Sequence, residues 1–162
     1  MLADNQKIID KGFDAYMKSL LEAKEVIVGV LSEVADKMAE DGDITLYEKA
    51  YNNEYGIGVP KRPFMRTSFD IGEAELLKAG EKLENDIFNQ SKTVTQALDQ
   101  LGQMHSDRIK LTITNGRKHF KLNSESWAEM KGGTPETVTP LIHTGQLRGS
   151  INFKTQNQKK HE

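Results

Sequence analysis

The sequence predicts an α+β domain, and three observations carry that expectation. A β-branched run, EVIVGVL (residues 25–31), reads as a strand. Two long stretches between residues 70 and 113 repeat apolar residues at helical spacing, and an alternating run, INFKT (151–155), closes the patterned part of the chain. Helices interleaved with a few non-contiguous strands fit an α+β class better than a regular βα alternation. The expected layout is a small mixed domain with an N-terminal helix, a central β-sheet, long middle helices and a C-terminal strand. It spans residues 1–155, with 156–162 as a flexible polar tail.

Taken in order, residues 5–22 place Ile9, Phe13, Tyr16, Met17, Leu20 and Leu21 at helical spacing behind Asp4 or Asn5 as N-cap. The run 25–31 is apolar on successive positions and predicts a strand buried on both faces. Residues 32–43 are acidic and end in a turn signal, a surface loop with at most a helical turn. Thr45 and Glu48 have capping-box spacing and open a short helix that Gly56 stops in a left-handed conformation. Residues 57–69 hold two prolines three apart, which push Val59 and Arg62 toward extended geometry and lead into a predicted strand at 64–69.

Asp70 and Glu73 then predict the cap of a helix carrying Leu76, Leu77, Gly80, Leu83 and Ile87 on one face. A break is expected at residues 89–92, then a second helix with Val94, Leu98, Leu101, His105 and Ile109. Its end is ambiguous by pattern, because Ile109, Leu111 and Ile113 also alternate like a strand; Asn115-Gly116 marks the stop. Residues 117–123 read as extended, Ser126 with Glu129 as the start of a short helix, and Gly132-Gly133 as its end. Thr144 caps one or two turns through Gln146, Leu147 and Arg148, and the final strand turns Ile151 and Phe153 inward, Asn152 and Lys154 outward.

The chain has 162 residues, enough for one domain with a sizeable core. Its 22 basic and 24 acidic residues leave a net charge of −2, which argues against a nucleic-acid binder held by bulk electrostatics. There are no cysteines, so disulfides, thiolate metal sites and cysteine nucleophiles are excluded. No apolar run approaches the ~20 residues of a membrane span, and no signal-peptide pattern is read at the start. A soluble intracellular domain is the expectation.

The search for chemistry is largely negative. The four histidines, His105, His119, His143 and His161, show no i, i+4 pair of the kind that holds zinc. His143 and Ser150 suggest a base and a nucleophile, but RGSIN lacks the glycine elbow and no acid lies nearby to orient the base. Glu73, Glu75, Glu81, Glu84 and Asp86 alternate with Lys78 and Lys82 at helical distances, the pattern of a solvated face. KRPFMR interleaves bases with an aromatic residue, a weak nucleic-acid signal beside a structural or subunit-contact role. No catalytic residue, metal site or cofactor is expected.

Three stretches together resemble a known family. NEYGIGVPKRPFMR (53–66) is similar to a segment in which a short helix ends in Glu-Tyr/Phe-Gly and passes through a proline to Arg-Pro-Phe. SESWAEMKGG (124–133) resembles its next element, and PLIHTGQLRGSI (140–151) closely resembles its Pro-Leu-Ile-x-Thr-Gly-Gln-Leu-Arg-x-Ser-Ile ending. The family is the bacteriophage neck and tail-completion proteins, also called virion-morphogenesis or head–tail connector proteins. The resemblance covers residues 25–155, with the middle helices matching in helical character alone.

It implies a virion subunit, made in the host cytoplasm, that forms a ring, commonly sixfold, at the head–tail junction. Its implied partners are further copies of itself and the neighbouring neck and tail proteins (connector or stopper, tail terminator or tube). Genomic DNA would pass through the ring without sequence-specific binding, and no membrane is involved. The signature residues are Arg62, Pro63, Phe64, Arg66, Thr144, Gly145, Gln146, Leu147 and Arg148. On the resemblance, Arg62 and Pro63 set the exit angle toward the sheet and Phe64 anchors it in the core. Thr144 caps the turn, Gln146 satisfies backbone groups, Leu147 plugs inward, and Arg148 reaches a carboxylate on this or a neighbouring subunit. The alternatives are a small cytosolic hydrolase using His143 or the helical acids, and a cellular binding module with a similar fold.

Overall fold

The computed structural model describes residues 14, 16–18, 21, 24–40 and 42–158, and its fold is α+β. Most of the helix expected over 5–22 lies outside the described residues, as do residues 159–162 of the expected tail. Asp14, Tyr16, Met17, Lys18 and Leu21 are helical, and the Tyr16 ring meets Phe88 edge-on at 5.3 Å.

The elements run β1 (Lys24–Val30), α1 (Ser32–Ala35), α2 (Leu46–Tyr55), α3 (Phe64–Phe88), α4 (Val94–Thr114), α5 (Gly116–His119), α6 (Glu125–Met130), α7 (Gln146–Ser150) and β2 (Ile151–Asn157). The two strands pair antiparallel in a two-stranded ribbon, from Lys24 opposite Asn157 to Val30 opposite Ile151. Val28 opposite Phe153 and Val30 opposite Ile151 share the face turned to the helices. The other face is polar: Gln156 donates to Glu25 at 2.9 Å, and Lys154 pairs with Glu33 at 2.6 Å. Ile27, on that face, is 42% exposed. The apolar run therefore forms a strand packed on one face, not buried on both: among the described residues no second helical layer covers the ribbon. Strand β2 continues through Gln156 and Asn157, which pair with Glu25 and Lys24.

Helix α2 is a close match of sequence to structure. Thr45 and Glu48 form a reciprocal capping box, and Gly56 ends the helix at φ 79°, where a Cβ would meet Lys61 Cβ at 2.8 Å. The predicted strand at 64–69 is instead the first turn and a half of a 25-residue helix, α3. Asp70 and Glu73 consequently sit inside that helix and cap nothing. The decisive cause is a tertiary cap. Glu54, buried in the last turn of α2, accepts from the Met65 N–H at 2.9 Å and the Arg66 N–H at 3.2 Å. A carboxylate placed there satisfies two of the donors that every helix start leaves open, and complements its dipole. Phe64, Ser68 and Gly72 then fall four apart on one buried face.

Glu54→Ala is expected to lower stability by about 1–3 kcal/mol, because two part-buried amides lose a charged acceptor. Urea unfolding of the variant measures it, and an unchanged midpoint would show that the cap carries no weight.

Helix α4 opens on a second capping box, Thr93 with Gln96, and persists through the ambiguous stretch to Thr114, where Asn115 caps it. Ile109 and Ile113, four apart, point into the core at 1% and 0% exposure. Residues 116–119 form a helical turn rather than an extended segment, and the chain becomes extended at Phe120. Helix α6 is capped two residues earlier than predicted: Ser124, not Ser126, accepts from the Trp127 N–H. The main core gathers Ala50, Phe64, Ile109, Ile113, Phe120, Leu141, Leu147 and Ile151, tying α2, α3, α4 and α7 to β2.

Candidate functional site

The turn at 144–148 is built from its backbone outward. Gly145 adopts φ 82°, a left-handed conformation, and leads directly into α7. The Thr144 hydroxyl accepts from the Gln146 N–H at 3.2 Å, which fixes the entry to the helix. Gln146 ties the turn to residues more than a hundred positions upstream: its Oε1 accepts from the Glu40 N–H at 2.8 Å and its Nε2 donates to the Met38 carbonyl at 3.2 Å. Leu147, 1% exposed, enters the core. The Ser150 hydroxyl donates back to the Leu147 carbonyl at 2.8 Å, and the chain passes straight into β2.

Gly145→Val is expected to cost about 1–2 kcal/mol, the strain of a left-handed backbone on a side-chain-bearing residue. The nearest atom to the added Cβ is Arg148 Nη2 at 3.9 Å, so crowding adds nothing. An unchanged melting temperature would count against the left-handed turn.

Arg148 lies on the outside of this turn. Among the described residues it reaches no carboxylate; its Nη1 donates to the Thr114 hydroxyl at 3.3 Å. Among the described residues its charge therefore lacks an ionic partner.

The Arg-Pro-Phe segment is a separate site. Pro63 occupies the N-cap position of α3, so the segment directs the chain into a helix and not toward the sheet. Phe64 is fully buried in the core, whereas Arg66 is exposed and contributes its backbone N–H to Glu54. Arg62 is only 8% exposed. Its Nε donates to the Lys121 carbonyl at 3.2 Å and its Nη2 to Asn123 Oδ1 at 2.9 Å. Asn123 in turn donates to the Val138 carbonyl at 3.0 Å. Burial pulls the Arg62 guanidinium below the ordinary arginine pKa. The guanidinium and Asn123 thus stitch the irregular 120–138 segment to the start of α3.

Arg62, Asn123 and Trp127 also line a cleft of about 300 Å³, with Ile44, Val59 and His143 around it. His143 Nε2 lies 2.6 Å from Lys131 Nζ. An ammonium has only donors, so Nε2 accepts and the ring proton sits on Nδ1. The Trp127 ring carries Lys131 over its face at 5.3 Å. Sequence reasoning missed Glu54, Asn123 and Trp127; Glu54 and Asn123 act on partners 11 and 61 residues away, which no local spacing signals, while the Trp127 ring meets Lys131 and His143.

Elsewhere, the His143 imidazole and the Ser150 hydroxyl are each engaged with another group, Lys131 and the Leu147 carbonyl. His105 sits on the apolar side of α4 near Phe69, its buried Nε2 has no partner among the described residues, and desolvation lowers its pKa. Of the helical acids, Glu75 pairs with Arg108 and Asp86 with Lys92, while Glu73, Glu81 and Glu84 are exposed. Among the described residues no three histidine or carboxylate side chains converge to hold a metal ion, and no helix is long and apolar enough to cross a membrane.

The ribbon supplies one more feature. Lys24 and Lys154 reach Thr95 and Glu33 through their side chains, and no backbone group outside the ribbon bonds to residues 24–30 or 151–157 among the described residues. On β2 the Phe153 N–H is taken by the Asn152 side chain at 2.9 Å; among the described residues no further strand pairs with either outer edge. In comparisons with protein-family models, curated proteins and solved structures, none matched the chain.

Proposed function

We propose that the chain is a structural subunit of a tailed-phage virion that assembles into a ring at the head–tail junction and joins the tail to the head connector. The observation that supports this reading is the two-stranded ribbon, whose outer edges no further strand pairs with among the described residues, held at its base by the Thr-Gly-Gln-Leu-Arg turn. A long open edge is a template for pairing with another chain, and soluble monomers normally blunt it. If β2 of one copy pairs with β1 of the next, the contact is head-to-tail, and head-to-tail contacts form rings when the rotation from copy to copy closes. The sixfold order, and the neck and tail proteins as neighbours, come from the resemblance of residues 53–66, 124–133 and 140–151.

Arg148 fits the same account. It stands beside the root of β2, exposed and without an ionic partner among the described residues, where a carboxylate of the adjoining copy completes it. The surroundings of His143 and Ser150 offer the hydrolase alternative no base–nucleophile pair. DNA passing through the ring requires no specific contact, consistent with the slightly acidic charge balance of −2.

Arg148→Ala is expected to leave the fold and melting temperature unchanged while shifting assembly to at least tenfold higher protein concentration, as the loss of one charge-assisted contact predicts. Sedimentation across a concentration series reads both species. Assembly at the wild-type concentration would remove Arg148 from the interface.

A further inference from the structure

The Arg62 cleft is not used by the ring contact, and its chemistry is specific. A guanidinium that is only 8% exposed is normally matched to a carboxylate. Here its bonds go to a backbone carbonyl and an amide oxygen, and Nη1 has no partner among the described residues. The described residues lining the cleft include no aspartate or glutamate. Lys131, bonded to His143, adds a further positive charge next to it. The protein as a whole is acidic, so this concentration of positive groups is local. The mouth is apolar: Ile44 and Val59 line it and are 37% and 40% exposed, and the Trp127 ring forms a wall. An enclosed metabolite site would bury most of its ligand, whereas this apolar mouth opens onto the surface.

We propose that the cleft receives an aspartate or glutamate side chain, flanked by apolar residues, from a protein partner. The carboxylate takes the free face of Arg62, and the flanking side chains cover Ile44, Val59 and Trp127. A paired guanidinium–carboxylate bond at a largely buried arginine is stronger than a surface ion pair and selects for charge. The assignment stands independently of the ring, because it is read on the isolated chain.

The only tryptophan of the protein, Trp127, reports directly on occupancy. The probe is a pool of acetyl-X-Asp-X-amide tripeptides, X being Leu, Phe or Val, titrated while the Trp127 emission is followed. The expected result is saturable quenching, at least tenfold weaker with the matched Asn pool. It is lost in Arg62→Met and in Ile44→Glu, the latter placing a competing carboxylate at the mouth without touching the core. If Arg62→Met fails to fold, Ile44→Glu alone decides. No saturation, equal binding of the Asp and Asn pools, or quenching that survives Ile44→Glu overturns the proposal. Phenylacetate binding as tightly as the Asp pool overturns the assignment to a protein partner and makes the cleft a small-molecule site.

Discussion

Gly102→Val is expected to unseat the β-ribbon from α4, lowering stability and abolishing assembly together. The ribbon packs on α4 where that helix has no side chain. A Cβ at Gly102 would lie 2.5 Å from Phe153 Cδ2 and 2.7 Å from a Val26 methyl, closer than carbon atoms approach. Neither neighbour is a free end: Phe153 is a ring on β2, and Val26 sits on β1 opposite Thr155. Both strands must shift outward, and overpacking of this kind costs about 1–3 kcal/mol or more. Valine adds two further methyls, so the upper end is expected, with Gly102→Ala nearer the lower. The helices carry a core of their own in Phe64, Ile109 and Ile113, so helical circular dichroism persists at low denaturant. The ribbon edges lose their register to the Arg148 turn, and oligomers disappear. A Gly102→Val protein with wild-type melting and assembly would show that the ribbon does not rest on this helix.

Phe64→Ala is expected to bring the largest loss of stability from a single truncation, about 3–5 kcal/mol, as deletions of buried aromatic rings do. Phe64 is 0% exposed and shares its cluster with residues of α2, α4, α7 and β2. It also starts α3, so the cavity opens beside the Glu54 cap. Against a total stability of about 5–15 kcal/mol for a typical domain, a large fraction of the protein would be unfolded near its former midpoint. Phe64→Leu keeps most of the volume and should retain most of the stability. Urea melts with a common slope separate the two, and a loss below about 1 kcal/mol for the alanine variant would contradict a core role, given the cost of an unfilled cavity.

The parts of the fold legible in the sequence are those whose signals are local. Thr45 with Glu48, Gly56, the alternation of Ile151 and Phe153, and the Thr-Gly turn ahead of Leu147 each encode their conformation within a few residues. The sequence misled at 64–69, where a proline-stiffened approach and an aromatic, branched run look extended. The helix starts there because Glu54, from a different helix, caps it. The strand at 24–30 was legible, but its one-sided burial was not, because burial depends on how many layers the rest of the chain can supply. For the candidate site, the C-terminal turn could be read from residues 144–148, including the backbone role of Gln146. The Arg62–Asn123 link joins positions 61 apart and has no sequence signature. Arg148 was expected at a carboxylate on this or a neighbouring subunit; among the described residues it finds the Thr114 hydroxyl.

The measurement that bears most directly on the ring assignment is mass and symmetry, by light scattering and negative-stain imaging, on the chain alone and mixed with purified phage tail tubes. The account predicts closed rings of one size, or decoration confined to one end of the tubes. A monomer at every concentration, with tube ends left bare, would contradict it.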